Sequence, residues 1–264
     1  MIIIIFPILS FLLVPDQVFL PPLEVFPYAI VSGGTSILAY LLMYYGLTKY
    51  DASSASPIIA TQSIFVIPLT YFFLKEFYGL IVILWIIIAV LGAIMTSWDE
   101  NINARHLFSF RNKAFWIFFT AAFLYALGNV AVKPAMKIVS NYNFLIWREF
   151  AWFGVLLVLM PIIFHKREQI RLQEDWKGAI GFVTLIILIQ YFGYNLMFYA
   201  LGISVQITMG LMASNGFFAV IIGIFISKTS LGILLEKHGS RIYLIRLVGA
   251  LMILFSIYEL SFVL

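Results

Sequence analysis

Apolar stretches of bilayer-crossing length recur along this chain, separated only by short polar segments. A hydrocarbon core needs roughly 20 apolar residues per helix to cross it, and lipid admits only helices or closed barrels as spanning structures. Spans are predicted near residues 2–14, 25–47, 53–74, 78–97, 114–138, 143–164, 178–201, 205–227 and 245–263. The first is short and carries Pro7. Between these nine there is no room for a water-soluble domain. The chain is 63% hydrophobic and only 11% charged, against about 25% charged in soluble domains. The reading is an all-α integral membrane protein, placed in the plasma membrane.

The longest polar segments are 98–113, 165–177 and 228–246. With nine alternating spans they fall on one side, together with Lys49. That side holds 12 of the 16 Lys and Arg, while Lys75, Lys133, Lys137 and Arg148 are left elsewhere. Positive charge marks the cytoplasmic side, so the N-terminus is expected inside and the C-terminus outside. The net charge of +4 needs no nucleic-acid partner to explain it. Residues 231–246 alternate apolar and basic side chains, a pattern that suits a short helix lying along the interface. The opening MIIIIFPILSFLLV lacks a basic leader and a small-residue cleavage site, and reads as an anchored helix rather than a signal peptide.

The chain repeats itself. Shifted by 154 positions, Met43, Tyr45 and Leu47 fall on Met197, Tyr199 and Leu201, and Val66-Ile67 fall on Val220-Ile221. The order of features is the same in both copies: an aromatic helix end, a short turn, a helix rich in small residues, a polar break. Small residues recur every fourth position in the two matching helices, at Ala52, Ser56 and Ala60 and at Gly210 and Ser214. That spacing lines one helix face and lets backbones approach; ordinary helix packing accounts for it. Repeats in a many-span chain point first to a transporter. The predicted halves are 1–98 and 114–264. The first lacks the counterpart of its opening helix, from a truncated start or a shortened variant.

Charges inside a bilayer are costly and therefore suspect as functional. Lys133 follows Asn129 by one helical turn, beside Pro134, and could hold an anion or a backbone carbonyl, or snorkel to the headgroups. Arg148 and Glu149 are adjacent, so their Cβ atoms point about 100° apart and no tidy mutual pair is expected. Glu149 is the candidate proton-coupling group, because burial makes a carboxyl able to exchange a proton near neutral pH; an interfacial position at the helix start is the plainer alternative. Gln190 and Tyr194 share a helix face, with Asn195 beside them. Under the repeat shift Thr61-Gln62 fall on Asn215-Gly216. Paired polar positions in matching helices suit a cavity between two halves, and interhelical hydrogen bonds would explain each one singly. The predicted substrate-binding set is Gln62, Asn129, Lys133, Gln190, Tyr194 and Asn215.

Motifs for catalysis are lacking. His106, His165 and His238 are far apart in loops, no cysteine is present, and there is no phosphate-binding glycine loop. No enzyme activity, metal or cofactor is expected.

The order of these features resembles the EamA-like family of the drug/metabolite transporter superfamily. The resemblance rests on Ala55-Ser56-Pro57-Ile58, the run to Leu74-Lys75-Glu76, and Val90-Leu91-Gly92-Ala93. In the second half it rests on Leu124 to Lys133, Phe144-Leu145-Ile146-Trp147-Arg148, and Leu247-Val248-Gly249-Ala250. It implies two inverted helical repeats, ten helices in the usual case, around a cavity for small organic metabolites moved by alternating access. Export is the expected direction. Lys75 stands where the family has glycine, Lys228-Thr229-Ser230 lacks the second half's acidic residue, and the family's usual topology would reverse the sidedness read from charge. A non-transporting assembly subunit or a lipid-handling protein is the alternative, and a homodimer is a possible assembly.

Overall fold

The predicted spans fold as helices in a computed structural model, which describes residues 2–50, 52–98, 111–164, 176–212 and 240–262. The elements are α1 (Ile2–Leu13), α2 (Val25–Leu47), α3 (Ala52–Ala60), α4 (Gln62–Leu69), α5 (Leu80–Thr96), α6 (Lys113–Val130), α7 (Val132–Met136), α8 (Asn141–Phe164), α9 (Trp176–Ile203), α10 (Val205–Met212) and α11 (Ser240–Ser261). No strand occurs among the described residues. Five stretches there are long and apolar enough to cross a membrane: Val25–Leu47, Ala55–Leu74, Lys113–Met136, Asn141–Pro161 and Val183–Ile203. Ile4–Leu13 and Leu80–Thr96 are apolar but shorter. The span predicted over 205–227 is described only as far as Met212. The interfacial helix expected over 231–246 falls largely outside the described residues, and its last part, from Ser240, runs straight into α11.

Two predicted spans are broken. The segment over 53–74 stops at Thr61, whose N–H donates to the Ile58 carbonyl at 3.1 Å, a tighter turn than the α-helix makes. The Thr61 hydroxyl donates to the same oxygen at 2.6 Å. The helix resumes as α4 and widens into a π-turn over Thr70–Leu74. Lys75 then closes it in the left-handed region, at φ 55°, the one non-glycine residue with positive φ among the described residues. Glu76 N–H reaches back six residues to the Thr70 carbonyl, the wrap that left-handed helix ends make. Glycine is the usual residue there because it has no Cβ to clash. The second break separates α6 from α7 at Ala131, where Pro134 supplies no N–H to the Val130 carbonyl.

The chain forms two compact units, each drawn from both sequence halves: Met1–Ile37 with Gly128–Ile203, and Leu38–Leu127 with Ser204–Leu264. In the second unit α5 and α11 cross at two glycines. A Cβ on Gly92 would lie 2.7 Å from the Gly249 carbonyl oxygen, and one on Gly249 would lie 2.6 Å from that of Gly92. The crossing is reciprocal: Gly92 abuts the backbone nitrogen of Ile253, and Gly249 abuts that of Thr96, each four residues beyond the opposing glycine. The helices run antiparallel. Arg246 Nε donates to the Trp98 carbonyl at 2.9 Å at one end, while Val82, Ile86 and Leu260 share a buried cluster at the other. The small-residue face of α3 packs in this unit as well. Ala60 lies against Ala89, Ala93 and Ile253, and the Ser56 and Ser97 hydroxyls are hydrogen-bonded at 2.8 Å.

Candidate functional site

The first unit holds most of the predicted intramembrane polar residues, and two of them, Glu149 and Tyr194, meet Arg148. α8 carries Arg148 and Glu149, each 4% exposed. α2 approaches α8 at a glycine: a Cβ on Gly33 would lie 2.5 Å from the Arg148 carbonyl oxygen and 2.9 Å from the Trp152 nitrogen. On another side of α2, Gly128 sits so close that its Cβ would meet the Thr35 hydroxyl at 2.6 Å. These approaches seat the flanking serines, Ser32 and Ser36, one turn apart on the same helix face. Arg148 Nε donates to Ser32 Oγ at 3.2 Å and Nη2 donates to Ser36 Oγ at 2.9 Å. The guanidinium carbon lies 5.3 Å from the Tyr194 ring centre and 5.2 Å from that of Phe198, both on α9. A guanidinium over aromatic faces is stabilised by the rings' negative quadrupole.

Arg148 Nη1 donates to Glu149 Oε1 at 2.5 Å. The expectation that these neighbours would not pair is thereby corrected. The 100° between Cβ directions constrains the first bond of each side chain, while a guanidinium on its long stem can fold across to an adjacent carboxylate. Glu149 is covered by protein at the start of α8, with 4% of its surface exposed.

Lys133 is 8% exposed, and its Nζ donates to the Ile203 carbonyl at 3.0 Å. Of its predicted roles, the structure realises the backbone-carbonyl contact: the ammonium sits on the C-terminal end of α9, where unpaired carbonyls concentrate negative potential. Asn129 is buried at the end of α6. Gln190 is half-buried on α9, and Tyr194 lies one turn on, edge-to-face with Phe6, tilted against Phe198 and beneath the Arg148 guanidinium. Asn195 is tied into the packing, accepting from Asn141 Nδ2 at 3.1 Å and donating to the Tyr191 carbonyl at 2.9 Å. Gln62 is half-buried at the start of α4, in the other unit. Asn215 and the three histidines lie outside the described residues.

Sequence reasoning missed Ser32 and Ser36. A serine pair four apart around Gly33-Gly34 in an apolar span was the available signal, but nothing linked it to an arginine more than a hundred positions away. It also missed the second unit's polar contacts, where Ser63 Oγ donates to the Met209 carbonyl at 2.6 Å and Gln206 donates to the Thr70 hydroxyl. No group of three or more His, Cys, Asp or Glu that could hold a metal occurs among the described residues.

A buried cation held by two hydroxyls and two rings, with one carboxylate against it inside apolar helices, is the kind of group that marks ion and solute pathways. Residues 1–98 match the EamA-like transporter family. That match and the five helices apolar enough to cross a membrane both point to an integral membrane protein. Nothing among curated proteins matches the sequence. A solved structure titled "Crystal structure of protein" superposes with a TM-score of 0.68 over 97% of this chain and 81% of its own. Identity there is 10%, so the likeness is one of fold.

Proposed function

We propose that this protein is a secondary transporter of the drug/metabolite transporter superfamily, exporting small organic metabolites across the plasma membrane by alternating access. Its moving parts are two inverted helical repeats, residues 1–98 and 114–264. The observation that carries the reading is the buried Arg148–Glu149 pair inside an apolar helix, joined to the EamA-like match of the first repeat. Inversion is supported by the Gly92–Gly249 crossing, since helices in equivalent positions of oppositely oriented repeats run antiparallel. Gln62, Asn129, Lys133, Gln190, Tyr194 and Asn215 are the proposed substrate-binding positions. Glu149 is the proposed proton-coupling group, with Arg148 as its neighbouring charge. A homodimer is compatible with this scheme and is not required by it.

The test is solute uptake and efflux in proteoliposomes, with a pooled metabolite library, with and without a proton gradient, for wild type and Glu149→Gln. The expected result is gradient-dependent movement of a subset of solutes, lost in Glu149→Gln. Movement indifferent to both gradient and substitution would make the protein a facilitator and remove Glu149 from its mechanism. Absence of any movement from folded, reconstituted protein would overturn transport in favour of a non-transporting membrane subunit or a lipid-handling role.

A further inference from the structure

We infer that the Arg148 guanidinium is the anchor for a carboxylate-bearing substrate, with Glu149 as a built-in competitor that occupies the anchor when no substrate is present. Calling the anion a substrate rests on the transport reading; the anion site itself does not.

The two halves of the ion pair are held very differently. Arg148 is fixed from three directions: by Ser32 and Ser36 on α2, by the Tyr194 and Phe198 rings on α9, and by Gly33 seated against its own backbone carbonyl. Glu149 has one polar contact among the described residues, the Nη1–Oε1 bond to Arg148. Releasing the guanidinium from the glutamate therefore breaks one contact, whereas the arginine cannot leave without breaking contacts to two other helices. The exchangeable member is the anion.

The pairing is also incomplete as arginine chemistry. A guanidinium presents parallel N–H bonds that match both oxygens of a carboxylate, and this two-pronged form is the strong one. Glu149 engages end-on, through one oxygen, because a side chain on the adjacent residue must double back to reach the fork. An untethered carboxylate can approach along the fork axis and use both prongs. Two carboxylates cannot share one buried cation cheaply, since the second anion is then desolvated without a partner. Binding of one excludes the other. Amides, amines and neutral sugars offer no such exchange, and the flanking rings favour a flat or apolar body behind the carboxylate.

The test uses the full chain purified into nanodiscs and three probes of one skeleton: benzoate, benzamide and benzylamine. Binding is measured by equilibrium dialysis, and the pooled-library flux experiment is run in parallel. Wild type is expected to bind benzoate in clear preference to the other two. Glu149→Gln, which removes the competing charge, is expected to tighten benzoate about tenfold, the effect of losing one modest competing interaction. Arg148→Lys, a point charge without the fork, is expected to lose the preference. Should Glu149→Gln fold poorly, Glu149→Asp, whose shorter stem reaches the fork less well, should shift benzoate affinity in the same direction. Equal binding of the three probes, or weaker benzoate binding in both Glu149 variants, would overturn the inference. If benzoate fails to bind while the pooled metabolites still move, the inference falls and transport stands. If benzoate binds as described and nothing moves, the anion site stands and transport falls.

Discussion

At the scale of single residues, Lys75 has the simplest account. It holds a left-handed conformation that costs a residue with a Cβ about 1–2 kcal/mol, and its side chain is exposed. Lys75→Gly should therefore stabilise the protein by roughly 1 kcal/mol, offset in part by glycine's greater freedom when unfolded; thermal unfolding in detergent is the measurement, and a lower midpoint would count against the strain argument. Arg148 and Glu149 make the opposite case. Arg148→Met leaves a buried carboxylate without its partner and should cost about 3–5 kcal/mol, while Arg148→Met combined with Glu149→Leu should recover most of that loss. The same melts decide it, and a double variant no better than the single would show that the serine and ring contacts matter more than the charge. The sequence marked Lys75, Arg148 and Glu149 as unusual, because charge in an apolar context is visible by inspection. It did not show how the pair would close, since side-chain reach depends on rotamers and on Ser32 and Ser36, which arrive from a distant helix.

Among the helices, legibility followed the physics of each signal. The spans could be read because a bilayer-length apolar run is a local property. The break at Ala131 had a local cause too, the N–H that Pro134 lacks. The meeting of Lys133 with the Ile203 carbonyl had none, because α7 and the end of α9 are separated by 70 positions. Replacing that lysine with methionine keeps the apolar stem and removes the donor, so Lys133→Met should destabilise by about 1.5–3 kcal/mol, the loss of a part-buried hydrogen bond from a charged donor. Hydrogen exchange should locate the loss at the end of α9; protection unchanged there would mean that solvent already satisfies the carbonyl. The crossing of α5 and α11 admits no methyl group at either glycine without helix separation. Gly92→Ala and Gly249→Ala should each cost about 1–3 kcal/mol. The double variant should cost less than the sum, because one separation of the helices relieves both clashes. Strict additivity would mean that the two positions do not share a crossing.

For the molecule as a whole, the sequence alone offered a sidedness, and the structure makes it testable. Asn112 lies at the end of the second unit where Ala114 clusters with Ala55 and Ser56 meets Ser97, whereas Gly79 lies at the opposite end of α5. The chain contains no cysteine, so a single introduced thiol is the only one present. In intact cells an impermeant thiol reagent should label Gly79→Cys and spare Asn112→Cys; the reverse pattern would invert the orientation inferred from charge. The division into two units was not legible, because each takes helices from both halves and only long-range packing decides that. The glycine crossing has a last consequence. A patch that meets its own counterpart in the same geometry is what the identical subunits of a two-fold dimer share. The α5–α11 contact has the geometry of such a dimer interface, carried within one polypeptide.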